Sequence, residues 1–334
     1  MQISTYKPGS VPNELTQLLR EKYGNCKNFN FFLSDSKKAF EFCMDNDNVS
    51  FYPIEGRKDG HMKAHIALII DKRLPRGEAF FGFMESPDDV SAFSLLWNNL
   101  IKEAKEKGIS VIKGPVNGSI WHQYRCIKET DGSPSFKAEV LSEPYYYDFL
   151  MSQKPSIEVG YFSASREPYD IVLKMINPGS YEKLESHGFS MRVAKQVTPS
   201  ELKTISDISK AVFKENWGYT ELNDKEFTEL YSTEKLNEHL DALYLLYRGE
   251  IIIGFCSTSK ENELTLLLKT ICVLPAYRGL GLGNALAYKI HLDAKKEGIK
   301  KIIYALIREG NSVNNFPKEE AVIFRRYAAF EFHI

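Results

Sequence analysis

The segment VLPAYRGLGLGNAL, Val273 to Leu286, constrains the fold of this chain more than any other. It puts Gly279, Gly281 and Gly283 into five positions behind Arg278, between an apolar strand-like run and an amphipathic helix-like one. A strand that enters a glycine turn and leaves as a helix gathers unpaired main-chain N–H groups at one point, beside the positive end of the helix dipole. Glycine suits that turn because it takes positive φ without penalty and lets an anion approach the main chain. The segment reads as a phosphate-binding turn.

Spacing separates the kinds of phosphate turn. A Walker loop needs G-x-x-x-x-G-K-[ST], and no Lys followed by Ser or Thr comes after these glycines. The dinucleotide fingerprint G-x-G-x-x-G fails too, because Asn284 and Leu286 stand where its third glycine belongs. Three strand-like runs also precede the turn, at 242–248, 250–259 and 263–275, whereas a dinucleotide fold places its turn after the first strand. A helix over 283–297 and a strand over 300–308 follow.

What is left is R-x-x-G-x-G, formed by Arg278, Gly281 and Gly283 and preceded by VLPAY. This resembles the GNAT superfamily of acyl-CoA N-acyltransferases, whose signature V-x-P-x-[YW]-R-G-x-G-[IL]-G-x-x-L is matched nearly position for position by Val273 to Leu286. The resemblance covers about residues 188–334 and implies an N-acyltransferase that moves an acetyl (acyl) group to a primary amine by direct attack on the thioester, with acetyl-CoA as co-substrate and no metal. It implies that main-chain N–H groups of Arg278, Gly279, Leu280, Gly281, Leu282 and Gly283 cradle the coenzyme A pyrophosphate. The pantetheine arm is expected where the fourth and fifth strands splay apart, against the main chain of Ile271 to Val273. Asn311, Ser312, Asn314 and Asn315 follow the fifth strand, where the family often has an asparagine near the coenzyme; turn chemistry explains them equally well.

A chain of 334 residues suggests two domains. Upstream, strands are expected at 65–71, 78–85 and 109–116, with a helix from about Asp88 to Lys107. AKEKGISVI at 104–112 resembles AKKEGIKKI at 294–302, which sets Gly108 and Gly298 190 residues apart. Carried upstream, this offset implies two copies of one fold: an α/β (α+β) chain of two tandem GNAT-like domains, each a mixed, mostly antiparallel twisted sheet flanked by helices. The domains are expected at 1–178 and 188–334, divided within NPGSYEKLESHG at 177–188. A helix with Leu202, Ile205, Ile208 and Val212 on one face, capped by Thr198 or Ser200, opens the second.

The same offset puts Asp88, Asp89, Val90, Ser91, Ala92 and Phe93 where Arg278 to Gly283 stand. Two carboxylates cap a helix well but repel a pyrophosphate, so the first domain is expected not to bind coenzyme A in the usual way. A structural role, or one wall of an acceptor cleft, is expected instead. Tyr145, Tyr146, Tyr147, Trp121 and His122 are candidates to line such a cleft, with core packing as the alternative. His61 and His65 lack the glutamate of H-E-x-x-H and lead into a strand, where i and i+4 lie far apart, so no metal is assigned.

Attack of an amine on a thioester needs a neutral amine, a donor for the developing oxyanion, and an acid for the leaving thiolate. By resemblance the oxyanion donor is the main-chain N–H of Cys272 or Val273. The acid corresponds to Tyr327, on an expected last helix, with Ala329-Phe330 replacing the family's G-F. Many family members carry Glu or Asp three or four residues before the valine of V-x-P; here those positions are Thr270 and Lys269. Glu215 acting through water is a substitute base, although it also reads as a solvated helix carboxylate. Cys272 is a conceivable nucleophile, but a strand cysteine with no paired histidine behaves as a small apolar residue.

The balance of 43 basic and 44 acidic side chains gives a net charge of −1, with no broad field for nucleic acid or an acidic membrane. Cys26, Cys43, Cys126, Cys256 and Cys272 are odd in number and form no C-x-x-C, which suits a reducing cytoplasm. MQISTYKPGSVPNEL has no signal-peptide core and no later run is long enough to span a membrane. A cytoplasmic monomer or homodimer is expected, acting on a small-molecule or peptide amine. Two rivals stand beside this reading: an aminoacyl-tRNA-dependent transferase of double GNAT fold, and a non-catalytic acyl-CoA sensor or scaffold.

Overall fold

A computed structural model describes residues 1–167, 173, 178–310 and 321–334. The chain forms two compact units: Met1–Tyr161 with Trp217–Thr220 and Arg325–Ile334, and Phe162–Asn216 with Glu221–Phe324. The division therefore falls before the expected 177–188 turn, and the last ten residues belong to the first unit. Residue 177, the first of that expected boundary, lies outside the described residues.

The first unit contains β1 (Gln2–Thr5), α1 (Asn13–Tyr23), α2 (Phe29–Asp45), β2 (Val49–Lys58), β3 (His61–Asp71), β4 (Glu78–Glu85), α3 (Val90–Glu106) and β5 (Val111–Gly114). The short β6 (Val116–Asn117) and β7 (Gln123–Tyr124), then β8 (Cys126–Thr130) and α4 (Tyr145–Ser152), follow. Neighbouring strands run β1-β2-β3-β4-β5, and the chain's final strand, Val322–His333, lies next to β5. β4 and β5 pair in parallel, whereas Phe330 faces Gly114 and His333 faces Val111 in antiparallel register. A bare edge on β5 would leave unpaired main-chain groups, and the final strand satisfies them.

The run IALII in β3 shows why this sheet is central. Ile66 and Leu68 pack with Phe93, Leu96, Trp97 and Leu100 of α3 on one face. Ala67 and Ile69 point the other way, to Leu15, Leu18 and Phe40 of α1 and α2. A strand covered on both faces reads as continuous apolar sequence, because successive side chains alternate between two buried layers.

The strand β9 (Ile157–Arg166) leads into the second unit, which contains α5 (Gly179–Glu182), β10 (Phe189–Ala194), α6 (Pro199–Phe213), α7 (Asp224–Leu230), α8 (Thr233–His239), β11 (Ala242–Arg248), β12 (Ile251–Asn262), β13 (Thr265–Val273), α9 (Leu282–Lys296) and β14 (Lys301–Arg308). Its strands run β14-β13-β12-β11-β10, all antiparallel except β13 with β14. Leu286, Ala287, Ile290 and Ala294 of α9 bury against Tyr244, Leu266, Leu268 and Ile302. Thr198, and not Ser200, caps α6: its hydroxyl accepts from the Glu201 N–H at 3.3 Å, while the Glu201 carboxylate accepts from the Thr198 N–H at 2.8 Å.

The internal repeat is visible at equal helix ends. Gly108 and Gly298 have φ of 72° and 74°, and the next N–H, of Ile109 or Ile299, bonds to Ala104 O or Ala294 O at 3.0 Å in each case. These are the glycine and the long closing bond of a Schellman cap. The copies differ before the helix, where residues 86–89 link β4 to α3 but the longer stretch 274–281 links β13 to α9. The added residues are those of the glycine turn.

Candidate active site

In the second unit, the β13–β14 ladder runs from Thr265 facing Lys301 to Leu268 facing Tyr304 and then stops. On its other side β13 stays paired with β12 through Val273, which faces Gly254. Among the described residues, Thr270 to Val273 therefore have a partner strand on one side only. Leu306, beyond the last rung, has φ of +58°, and its N–H turns to Ser163 Oγ at 3.0 Å. That left-handed residue bends β14 out of the ladder and opens a splay.

The direction of main-chain groups in the splay follows from one bond. The Leu274 N–H donates to Ile253 O at 2.9 Å, toward β12. N–H groups alternate sides along a strand, so that of Cys272 also faces β12, and those of Ile271 and Val273 face the splay. Of the two expected oxyanion donors, Val273 has the suitable direction and Cys272 does not. The Cys272 side chain is wholly buried, and burial pushes its thiol up to about 12 although Arg278 acts to lower it. A thiol held that far above neutrality is a poor nucleophile.

After Leu274 the chain makes a 3-10 turn over Pro275–Tyr277, and Gly279 and Gly281 follow with φ of 81° and 76°. Gly281 is the N-cap of α9 and provides no side-chain cap, so the first-turn N–H groups of the helix are uncapped by side chains. Among the described residues, the N–H groups of Gly279, Leu280 and Gly281 make no main-chain hydrogen bond outside regular elements. Arg278, Gly279 and Leu280 are exposed and Leu282 is buried, which anchors the turn at its helical end. The result is an open arc of donors at the positive end of a fifteen-residue helix.

The first unit has no such arc. Asp89 caps α3, and its Oδ1 accepts from the N–H groups of Ser91 at 2.8 Å and Ala92 at 3.1 Å. Its carboxylate occupies the donors that would otherwise receive an anion.

Tyr327 lies on the final strand, in the first unit, and not on a helix. Its buried hydroxyl donates to Glu139, whose other oxygen takes Arg325 at 2.6 Å. RRYAAFEF alternates between two buried surfaces, so its apolar residues do not reveal a helix or a strand by periodicity. Asn311, Ser312, Asn314 and Asn315 lie outside the described residues. Of the aromatic candidates in the first unit, Tyr146 lines a cavity, while Trp121 donates its Nε1–H to Thr220 O at 2.8 Å. His65 is buried with Nδ1 2.8 Å from Phe83 O. Among the described residues no group of three His, Cys, Asp or Glu could hold a metal ion, and no helix is long and apolar enough to cross a membrane.

Sequence reasoning missed His291 and Tyr304. Both are buried, His291 Nε2 is 2.6 Å from the Tyr304 hydroxyl, and Nδ1 is 2.6 Å from Ala287 O. A carbonyl accepts only, so Nδ1 carries the proton and Nε2 accepts from Tyr304. Burial lowers His291 to about 4 and keeps it neutral. Tyr304 is the last rung before the splay, so this bond ties α9 to the point where the strands part. Their i, i+13 spacing across a helix end carries no sequence signal.

Residues 204–315 match the model of the acetyltransferase (GNAT) family. No curated protein matches the chain in sequence. Among solved structures, a tandem GNAT protein from the clavulanic acid biosynthesis pathway aligns over 99% of this chain and 98% of its own, with a TM-score of 0.58 at 12% identity. This chain is a tandem GNAT-fold protein. A GCN5-related N-acetyltransferase from Sphaerobacter thermophilus aligns with this tandem GNAT-fold protein over 98% of it and 95% of its own chain, with a TM-score of 0.53 at 10% identity. A probable N-acyltransferase from Enterococcus faecalis V583 covers 98% and 72%, with a TM-score of 0.57 at 9% identity. At these identities the likeness concerns the fold, and the β13–turn–α9 segment lies within the family match.

Proposed function

We propose that the second unit binds an acyl-CoA, acetyl-CoA first, and transfers the acyl group to a primary amine by direct attack on the thioester. One observation carries this reading: a single strand-to-helix connection joins an open arc of N–H donors, Gly279 to Gly283, to a strand whose outward N–H groups, at Ile271 and Val273, face a splay. The arc suits a pyrophosphate, and the splay suits an extended amide-bearing arm ending in a thioester.

In this reading Ile271 and Val273 pair with the arm, and the Val273 N–H meets the charge that develops on the thioester oxygen. One such donor is worth roughly 10²–10³ in rate. Lys269 and Thr270 occupy the positions of the usual carboxylate. The amine, with a pKa near ~10.4 in water, therefore loses its proton through water, and positioning supplies much of the rate. The acceptor is a small-molecule or peptide amine.

Calorimetric titration with acetyl-CoA and with free coenzyme A, beside a Gly281→Glu control, tests the site. Binding to the wild type that the control loses supports it, because a carboxylate at 281 would sit in the donor arc. No binding by the wild type overturns it. Thiol release across a panel of amines then tests transfer: binding without turnover on any amine would make the chain an acyl-CoA sensor.

A further inference from the structure

On the acyl-CoA reading of the second unit, on which this inference rests, we propose that Ser180 is a further binding residue of that site: its hydroxyl donates a hydrogen bond to the coenzyme pyrophosphate where this lies over Gly281.

The donor arc has a side-chain wall. Before β10 the chain makes the single helical turn α5, in which the N–H groups of Glu182 and Lys183 bond to Pro178 O and Gly179 O at 3.0 and 3.1 Å. Apolar contacts fix this turn to the N-terminal end of α9. Tyr181 and Leu184 pack with Tyr277, Leu282 and Ala285, and the Tyr181 ring lies 5.9 Å from that of Tyr288. Ser180, next to Tyr181, is thereby held beside the N-cap of α9.

Its hydroxyl aims at that cap. A Cβ on Gly281 would lie 3.3 Å from Ser180 Oγ and 3.8 Å from Ser180 Cβ, so the oxygen is the nearer atom. Glycine leaves that space open, and a ligand oxygen entering it need move only a few tenths of an ångström toward Ser180 to make an ordinary hydrogen bond. Other hydroxyls on helical turns fold back on their own main chain: Ser186 Oγ donates to Lys183 O at 2.9 Å, and Ser152 Oγ to Phe149 O at 2.6 Å. Among the described residues nothing hydrogen-bonds to Ser180 Oγ, although the residue is half-buried. A bond from it to a ligand therefore breaks none inside the protein. A hydroxyl also suits this place chemically. Phosphate oxygens accept only, the serine O–H donates, and it adds a side-chain donor to the main-chain arc without adding negative charge. The first unit does the opposite, with the Asp89 carboxylate filling the donors of α3.

Calorimetry of the full-length protein with acetyl-CoA and with its 3′-dephospho analogue tests the assignment, alongside the Tm of each variant. Ser180→Ala should bind acetyl-CoA about tenfold to a hundredfold more weakly, as loss of a hydrogen bond to a charged group implies. Its Tm should be no lower than that of the wild type, because no internal hydrogen bond is lost and alanine is the better helix former. Ser180→Thr keeps the hydroxyl and should stay within about threefold of the wild type. Ser180→Asp puts a carboxylate beside the arc and should lose about a hundredfold or more. The Ser180→Ala loss should be the same with the 3′-dephospho analogue, which keeps the pyrophosphate. If the wild type binds no acetyl-CoA, the acyl-CoA reading and the Ser180 assignment fall together. If it binds, Gly281→Glu abolishes binding and Ser180→Ala binds as the wild type does, the site stands and the Ser180 assignment alone is overturned. Equal losses in Ser180→Ala and Ser180→Thr, unaltered affinity in Ser180→Asp, or a Ser180→Ala loss that disappears with the 3′-dephospho analogue would overturn it as well.

Discussion

Tyr327 donates its hydroxyl to the buried carboxylate of Glu139, which Arg325 also holds, at 2.6 Å. The group that family resemblance casts as a thiolate acid is thus committed inside the first unit. Tyr327→Phe should lower stability by about 1.5–3 kcal/mol, the worth of a hydrogen bond to a charged group. Coenzyme affinity and the rate of acyl transfer should stay within about twofold, by analogy with other substitutions remote from a site. Glu139→Ala should cost more, about 3–5 kcal/mol, because it strands a buried guanidinium. A hundredfold fall in kcat for Tyr327→Phe at unchanged Tm would return the acid role to this tyrosine.

Gly281 and Gly283 of the turn should separate by cause. Gly281 has positive φ, and a Cβ there would come 3.3 Å from Ser180 Oγ; Gly281→Ala should destabilise the second unit by about 1–2 kcal/mol and weaken acetyl-CoA. Gly283 has no positive φ, lies in the first turn of α9, and a Cβ there would meet nothing within 4 Å. Gly283→Ala should therefore raise Tm slightly, by the roughly 0.5–1 kcal/mol that alanine gains over glycine in a helix. If an anion lies against the main chain at that point, the same variant should bind acetyl-CoA at least tenfold more weakly. Greater stability with unaltered affinity would remove Gly283 from the site.

The sequence made the second unit legible because its elements carry one-sided patterns and strong punctuation. Residues 242–248 form a strand with the expected limits, and the α9 helix ends at the glycine that its last turn implied. The first 60 residues were harder: α2, FNFFLSDSKKAFEFCMD, has apolar side chains around much of its circumference because it packs under a sheet and beside α1. The gapless repeat was right for helix and following strand and wrong before them. Paired strand residues Glu78 and Thr265, both opposite the first rung, are 187 apart, whereas Gly108 and Gly298 are 190 apart. An insertion in a loop has no periodicity to betray it. The exchange of the final strand into the first unit is likewise a matter of topology, and the direction of the Val273 N–H depended on a bond between strands.

Asp89 takes up first-turn N–H groups of α3, and whether its carboxylate alone bars an anion there can be tested. Asp89→Ala removes the acceptor for the Ser91 and Ala92 N–H groups, and should cost about 1 kcal/mol as an N-cap loss. It should not create a second coenzyme site, since the four-residue link from Glu85 to Val90 has no glycine to take positive φ. Acetyl-CoA stoichiometry should remain one per chain by calorimetry in wild type and variant. Two sites in Asp89→Ala would mean that the carboxylate alone had closed the first.

Glu85 should give the first unit a stability that falls as pH rises. It is 6% exposed, and burial raises its carboxyl from 4.5 to about 7, with the attraction of Lys22 and the hydroxyls of Tyr146 and Tyr23 opposing the rise. Between these values the folded chain keeps a proton that the unfolded chain gives up, so the contribution is full below 4.5 and lost as pH climbs through 7. A shift of this size amounts to about 3 kcal/mol at most. His65 and His291, both lowered to about 4 by burial, act oppositely: their contributions are present above about 6.5 and lost as pH falls toward 4. Glu85→Gln keeps an oxygen for the tyrosine hydroxyls and removes the titration, so the variant isolates this one group. Urea unfolding from pH 4.5 to 7 should show the wild type losing about 2–3 kcal/mol relative to Glu85→Gln. Parallel curves for the two proteins would mean that Glu85 is ionised throughout, with Lys22 holding its charge.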